Sequence, residues 1–555
     1  MTSKLSKTFI YFLGTLFIIN LVQSYFTQLI FDESYYWYYA QNMAWGYFDH
    51  PPMVALLIKI SSFFFEGELG VRFMSCILSV GTYIILWDLV DNPIKRKYIP
   101  HFFALGFSIT LLNAYGFLTL PDTPLLFFTA LFLWAYKKFL ERENVWSAIF
   151  LGVVMAALMY SKYHAVLVIA FVLLSNLKLV LNKYAWLAVI VALLCYTPHF
   201  IWLYENDFVS IKYHLTERPN QAYSFSKFTA GFFLNLVALF GLTFPLVYWS
   251  LYKTKITDTF IKALVYLTYG VILFFFISSF NRRVQTQWII VIAIPLFVLT
   301  YQYTLQNPNF RKWLYRLAVI NIVLLTYARF WLVHQPLLPI TYESHRNREW
   351  VKEITDKVGD MPIVFENSYR NAPMYAFYTG NTSFSLNNIM YRQNQYTIDS
   401  SEYKVQHQKV LYVSGYLSGG DVTLRNKNGD IYYGKYIEDF ESFRKLRCIV
   451  DVESFDLDSN EELVLKVYNP YQEDIDLKKI KFNVAYTNDY KKVKETQPLK
   501  TDLKDGQTPF LKAKDTTYFT FKLPKPKMEK PGYAKLSISE NGLYTGLNGK
   551  TIPVN

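Results

Sequence analysis

The sequence predicts a polytopic α-helical membrane protein that carries a carboxy-terminal region of α/β and β-sandwich structure. Three observations carry this prediction. The 555 residues are 52% hydrophobic and 19% aromatic but only 18% charged, a balance that excludes disorder and indicates a membrane protein with a polar appendage. Apolar runs fill residues 8–333, most of them near the roughly 20 residues needed to cross a hydrocarbon core about 30 Å thick. Beyond them the chain alternates Lys, Asp, Glu and Thr with single apolar residues, which puts the division near His334–Pro336.

Taken in order, the candidate spans are 8–30, 70–90, 101–119, 124–140, 146–160, 164–181, 185–204, 228–250, 260–280, 288–306 and 313–333. The first follows "MTSKLSK", is longer than a signal-peptide core and lacks a small-residue cleavage site, so it is expected to be retained. Lys and Arg mark cytoplasmic loops, and "NPIKRKY", "YKKFLEREN", "LKLVLNKY", "LYKTKITD" and "NPNFRKWLYR" occupy every second loop. That alternation predicts about eleven spans with the amino terminus inside. It also accounts for much of the net charge of +13, which argues against nucleic acid as a partner. Pro51–Phe65 is too short to cross and would invert every later loop, so it and Ser34–Trp45 are expected to lie at the outer interface. Cys76, Cys195 and Cys448 have no metal or redox spacing.

The unusual polar residues then gather on the outer face. Asp32 and Glu33 follow the first span; as structural residues they would cap a helix and sit in its first turn, and as functional ones they place a general base at the membrane surface. Asp49 and His50 in "YFDHPP" also fit a helix start before proline, or polar contact with a head group. Asp122 in "LPDTP" fits a turn. Lys162 in "SKYHA" and Arg282–Arg283 in "FNRRVQTQW" are cations on the side that should be poor in them, suited either to snorkelling or to a phosphate site. The span interiors hold no run of ionisable residues, which disfavours an ion-coupled transporter.

"FDESYYWYYAQNMAWGYFDHPPMVALLIKI", "LGVRFMS", "LPDTPLLFF" and "SKYHAVLV", in that order, resemble the bacterial members of the protein O-mannosyltransferase superfamily, membrane glycosyltransferases of the GT-C fold, over about residues 5–335. The resemblance implies a family 39/83-like inverting enzyme that moves a sugar from a polyprenyl-phosphate donor, such as undecaprenyl phosphate, to an acceptor hydroxyl. It implies that Asp32 is the catalytic base, supported by Glu33, Tyr35, Asp49 and Asp122. Lys162, Arg282, Arg283, Arg72 and His50 are the expected phosphate ligands. Two departures separate the chain from the lipid A aminoarabinose transferases, a branch of this superfamily. They have a Glu-Lys pair where this chain has Asp49-His50, and a basic residue where it has Tyr35. A His50 that touches phosphate does so best protonated, so activity is expected to fall as the pH rises through about 6.5.

After residue 336, "NREWVKEITDKVGDMPIVFEN" and "APMYAFYTG" predict a small α/β region over 336–435. Alternating runs such as "RCIVDVESF", "ELVLKVYNP", "IKFNVAYTN", "TYFTFKLP" and "YAKLSISEN" predict a β-sandwich over 436–555. Residues 1–335 form the expected catalytic domain. The expected location is a bacterial inner membrane, with the active site and the carboxy-terminal region outside the cytoplasm, and with the bilayer, a lipid-linked sugar and a protein, lipid or glycan acceptor as partners. No cofactor is certain; a divalent metal on Asp32, Glu33, Asp49 and His50 stays open. Two other readings stand beside the first: a metal-dependent polyprenyl-pyrophosphate glycan transferase, and a lipid-linked sugar flippase or transporter.

Overall fold

The computed structural model describes residues 6–555; Lys4 of the amino-terminal stretch lies outside them. Two compact units emerge, one running to Asp207 and resuming over Tyr223–Asn347, the other formed by Phe208–Ala222 with Arg348–Asn555.

The first unit is helical. Its helices are α1 Lys7–Phe26, α2 Phe31–Gln41, α3 Met53–Ser62, α4 Gly67–Leu89, α5 Ile99–Ser108, α6 Thr110–Ala114, α7 Asp122–Glu141, α8 Val145–Ser161, α9 Ala165–Ser175 and α10 Lys183–Glu205. Past α11, Val209–Lys212, which belongs to the second unit, follow α12 Thr229–Phe240, α13 Phe244–Lys253, α14 Thr259–Ser278, α15 Ala293–Gln306 and α16 Pro308–Val333. Among the described residues, six helical stretches are long and apolar enough to cross a membrane: Lys7–Phe26, Gly67–Leu89, Lys183–Glu205, Thr229–Lys253, Thr259–Ser278 and Pro308–Val333. Met53–Ser62, Val145–Ser161, Ala165–Ser175 and Ile290–Gln306 are apolar but shorter.

Local chemistry sets the helix starts. Ser6, Asn144, Asn182 and Asp258 each accept a hydrogen bond from an N–H in the following turn, satisfying a donor that the helix cannot. Within the expected span 228–250 a tight turn at Gly241–Thr243 separates α12 from α13. Gly241 has φ +53, and a Cβ there would lie 2.5 Å from the side-chain amide of Asn321. Residues 101–119 are likewise divided into α5 and α6. Buried aromatic and aliphatic side chains from α1 to α16 make one continuous core, while Leu181, Trp146, Tyr204 and Leu234 stand exposed, as the outer surface of a lipid-facing bundle requires.

The second unit begins its α/β part with α17, Asn347–Val358, whose first residue is shared with the helical unit. β1 Ile363–Glu366, α18 Asn371–Thr379, β2 Ser383–Leu386, α19 Gln395–Ile398, β3 Val410–Ser414, β4 Val422–Arg425 and β5 Ile431–Ile437 follow. These strands form one sheet ordered β2-β1-β3-β5-β4, parallel between β2, β1 and β3 and antiparallel beyond.

Ten strands complete the chain: β6 Arg447–Ile449, β7 Leu463–Tyr468, β8 Ile475–Asp476, β9 Ile480–Thr487, β10 Val493–Pro498, β11 Thr501–Leu503, β12 Phe510–Leu511, β13 Thr516–Phe521, β14 Tyr533–Glu540 and β15 Ile552–Pro553. Two four-stranded antiparallel sheets, β10-β9-β14-β15 and β11-β13-β7-β6, contribute alternate apolar residues to one core that includes Leu465, Val467, Phe519, Val484, Leu536 and Ile538. Alternation places every second side chain inward.

Candidate active site

Five aromatic residues follow the acidic pair in α2, "FDESYYWYYAQ". Its N-cap is Ile30, so Asp32 lies inside the first turn and does not cap the helix. Both Asp32 and Glu33 thereby sit where the helix dipole favours negative charge. Their environments differ: Asp32 is half-buried, and Glu33 is completely buried.

Glu33 faces Arg72 of α4. The guanidinium donates from Nε to Glu33 Oε1 at 2.7 Å and from Nη2 to Oε2 at 2.5 Å. Its other N–H groups go to the carbonyls of Ser24 at 3.0 Å, Thr27, and Gln28 at 3.1 Å. Glu33 also accepts from the backbone N–H of Thr119 at 2.9 Å and of Ile30 at 3.2 Å. The pair thus joins α1, α2, α4 and the "LPDTP" loop. This geometry ties Arg72, expected among the phosphate ligands, to protein oxygens, and it engages both Glu33 oxygens with protein donors.

Asp122 is the first residue of α7 and Lys162 directly follows α8, an acid at a helix start and a cation at a helix end. They meet at 2.7 Å, both almost fully buried. The bond from the Thr119 N–H to Glu33 Oε1 ties the acidic pair of α2 to the segment that leads into Asp122. His164, two residues after Lys162, packs its ring 5.6 Å from both Phe275 and Trp288. Phe275 and Trp288 flank in sequence the segment that holds Arg282 and Arg283, of which Arg282 is half-buried and Arg283 exposed.

"YFDHPP" folds back on the end of α2. Tyr47 stacks on Tyr39 with ring centroids 4.1 Å apart, and its hydroxyl donates to the Tyr39 carbonyl at 3.0 Å. Asp49 does not cap α3, whose N-cap is Pro52; it accepts the Tyr39 hydroxyl at 2.5 Å. Burial, and next the Asp49 charge, push the Tyr39 phenol well up from its ordinary value, so Tyr39 stays a donor. His50 packs edge-on against Tyr36 at 5.5 Å, and Tyr35 against Tyr39 at 4.7 Å. Among the described residues no group of three or more His, Cys, Asp or Glu is arranged to hold a metal ion.

Two further elements at this site were not singled out from the sequence. His199 of α10 is fully buried; Nδ1 is 2.6 Å from the Trp45 carbonyl and Nε2 is 3.2 Å from the Tyr163 hydroxyl. It links the loop before "YFDHPP" to the neighbour of Lys162. Gly46 makes this approach feasible, because a Cβ there would fall 2.2 Å from the Trp202 ring. The second is a strap after α16: Glu343 accepts the Phe31 N–H at 3.2 Å, and Asn347 donates to the Leu29 carbonyl at 2.9 Å. The only signal for either in the sequence is a polar residue close to an apolar run.

Comparison with known proteins gives consistent matches. The family model described as dolichyl-phosphate-mannose-protein mannosyltransferase matches residues 49–202. Lipid A galacturonosyltransferase RgtD of Rhizobium johnstonii is 23% identical over 308 residues, 49% of this chain and 60% of that protein; the match thus spans less than two thirds of the relative. Crystal structures of ArnT from Cupriavidus metallidurans, in the apo state and bound to undecaprenyl phosphate, are each 12% identical. They align with TM-scores of 0.53 and 0.54 over 73% of this chain and 92% of theirs. The likeness to the protein O-mannosyltransferase superfamily read from the motifs is thus found in sequence and in fold.

Proposed function

We propose that this chain, a relative of the protein O-mannosyltransferase superfamily with the GT-C fold, is an inverting membrane glycosyltransferase that uses a polyprenyl-phosphate sugar. The observation that carries the reading is the buried Asp122–Lys162 pair, closed at 2.7 Å, in the same helical unit as the Asp32 carboxylate in the first turn of α2. The similar ArnT structure bound to undecaprenyl phosphate supports the donor class, and the similarity to a lipid A galacturonosyltransferase supports glycosyl transfer.

In this reading the Asp32 carboxylate accepts the proton of the acceptor hydroxyl. The oxygen attacks the anomeric carbon from the face opposite the phosphate, and the bond from that carbon to the phosphate oxygen breaks with its electron pair on the leaving group. Lys162, Arg282, Arg283 and protonated His50 offset the charge that develops there. Glu33 and Arg72 hold the start of α2 so that Asp32 meets the acceptor. Asp122 aims the Lys162 ammonium, Tyr39 fixes Asp49, and Tyr35 packs under them. The donor enters from a bacterial inner membrane that the chain crosses several times, with catalysis and the second unit outside the cytoplasm.

The test is release of free polyprenyl phosphate, followed by mass spectrometry. Purified protein is given a panel of polyprenyl-phosphate sugars and a crude envelope acceptor, with Asp32→Asn in parallel. Consumption of one donor by the wild type and not by the variant is expected. A folded protein that consumes no donor in the presence of its envelope acceptor would overturn the reading.

A further inference from the structure

Residues 115–121 join α6 to α7 without forming a helix, and all of them except Leu120 are buried. Such a stretch inside a lipid-facing bundle must have its polar groups met from within the protein. Its second half reaches the candidate site. The Thr119 N–H donates to Glu33 Oε1 at 2.9 Å, and the Thr119 hydroxyl donates to the Val71 carbonyl at 3.0 Å. Asp122, the first residue past the stretch, meets Lys162 at 2.7 Å.

The first half is held by a single cation. Arg329, near the end of α16, is 5% exposed. Its Nε donates to Asn113 Oδ1 at 2.8 Å and its Nη2 to the Asn113 carbonyl at 2.8 Å, so the guanidinium fork takes both oxygens of one residue at the end of α6. Nη2 also donates to Asn20 Oδ1 of α1 at 2.9 Å. The face of the guanidinium lies over the Phe117 ring, 4.4 Å from its centroid. Asn113 is fixed in turn, because its Nδ2 donates to the Phe107 carbonyl at 2.9 Å, and the Phe117 carbonyl accepts the Ser24 hydroxyl at 3.2 Å. Only a glycine fits between Asn113 and Phe117 at position 116, where a Cβ would fall 2.6 Å from Asn20 Nδ2.

None of these bonds goes to a carboxylate, and Nη1 has no acceptor among the described residues. A buried guanidinium held only by neutral oxygens and a ring face is costly to desolvate, and an ionisable residue inside a span marks a functional position by default. The planar fork does what neither a neutral side chain nor the point charge of a lysine can: it grips two oxygens of one residue while its face covers an aromatic ring.

We propose that Arg329 is a positioning residue for the transfer reaction. It anchors Asn113 and Phe117, and thereby the stretch that presents the Thr119 N–H to Glu33 and Asp122 to Lys162. The effect on rate rests on the transferase reading; the anchoring does not.

Hydrogen exchange of the full-length protein in nanodiscs reads the anchoring without any substrate. Arg329→Met should speed exchange in residues 115–123 more than in any other segment. Asn113→Ala, a milder change that deletes one of the two oxygens, should give the same pattern more weakly, and it carries the test alone if Arg329→Met does not fold. The double variant should match Arg329→Met, since both changes cut one link. Arg329→Lys keeps the charge without the fork and should resemble Arg329→Met. In donor turnover, Arg329→Met should lower kcat by about tenfold or more and raise the donor KM, because the carboxylate that aims Lys162 is loosened; a merely destabilised protein loses active enzyme at unchanged KM. Wild-type exchange of this segment in Arg329→Met and Asn113→Ala, additive effects in the double variant, full recovery in Arg329→Lys, or a loss of kcat at unchanged donor KM would each overturn the proposal. A wild-type protein that releases no polyprenyl phosphate would overturn the transferase reading instead, and exchange would still decide the anchoring.

Discussion

Glu33 and Arg72 form a fully buried bidentate pair, closed at 2.5 Å and 2.7 Å, in which the guanidinium also donates to the Ser24, Thr27 and Gln28 carbonyls. Desolvating two charges gains little net stability, but removing one leaves the other buried and unpaired, at a cost of about 3–5 kcal/mol. Arg72→Ala is therefore expected to lower the melting temperature sharply and to abolish activity through misfolding. Arg72→Lys cannot reproduce a five-donor fork and should lie between it and wild type. Thermal unfolding of the purified protein checks both. An Arg72→Ala variant that melts like wild type would contradict the assignment.

Asp32 and Glu33 are neighbours with opposite expected failures. A general base contributes about 10²–10⁴-fold to a rate, so Asp32→Asn should cut kcat by that range and leave the melting temperature within a degree or two. Glu33→Gln should do the reverse first, lowering the melting temperature because the neutral amide cannot balance Arg72. Donor turnover and thermal melts measured on the same preparations separate the two. Equal melting losses in both variants would show that the two carboxylates share one structural role.

The membrane character, the helices around the acidic motifs and the β-rich end were all legible, because apolar run length and alternation are local properties. The sequence pattern also brought the DE pair, "YFDHPP", "LPDTP" and "SKYH" to notice as polar interruptions of apolar segments. Their partners were not legible. Arg72 lies 39 residues from Glu33 and Glu343 lies 312 from Phe31, and no periodicity links such positions. The same limit applied to Asp49, which local rules assign to a helix cap and which instead takes the Tyr39 hydroxyl ten residues back. Gly241 turns the chain within an apolar run that hydropathy reads as uniform, since hydropathy is blind to φ.

Lys162 and Asp122 give a prediction about the donor. Removing one preorganised donor from a developing negative charge costs about 10²–10³-fold in kcat, and Lys162→Met should show a loss of that size. Asp122→Asn keeps the ammonium but releases its aim, so the loss should be smaller and accompanied by a raised KM for the donor. Steady-state release of polyprenyl phosphate measures both. Lys162→Met with unchanged kcat would remove the lysine from the site.

In the second unit, Glu402, Arg444 and Glu540 are buried together. Glu402 takes the Tyr471 hydroxyl at 2.5 Å and Arg444 lies 3.1 Å from Glu540. Burial pushes the Glu540 carboxyl up from 4.5 to about 7, against the pull of Arg444, and raises Glu402 as well. A carboxyl whose pKa rises on folding holds its proton more tightly in the folded state. Its stabilisation is full below about 4.5 and is lost as the pH rises through about 7. Hydrogen exchange in the full-length protein, corrected for intrinsic rates, should show β14 less protected at pH 8 than at pH 5.5. Glu540→Gln should remove most of that difference. Protection that is flat or rising with pH in the wild type would contradict it.

The strap after α16 is bonded to the backbone just ahead of Asp32. Glu343 accepts the Phe31 N–H at the positive end of α2, an interaction worth about 0.3–1 kcal/mol. Asn347 takes the Leu29 carbonyl from the preceding turn and is itself buried, so Asn347→Ala leaves a carbonyl unpaired at about 1–3 kcal/mol. Neither side chain has a counterpart among the residues proposed to meet the donor phosphate. If the strap only sets the angle of Asp32, Asn347→Ala should lower kcat by about tenfold with donor KM unchanged, and Glu343→Gln should lower it less, with both proteins folded. The split between kcat and KM is what decides this, because a merely destabilised protein loses active enzyme without altering KM or the pH profile of the remainder. Asn347→Ala should in addition shift the pH profile of kcat, since the base it aims would titrate in a changed setting. A raised donor KM at constant kcat would place the strap on the donor side and refute the positioning role.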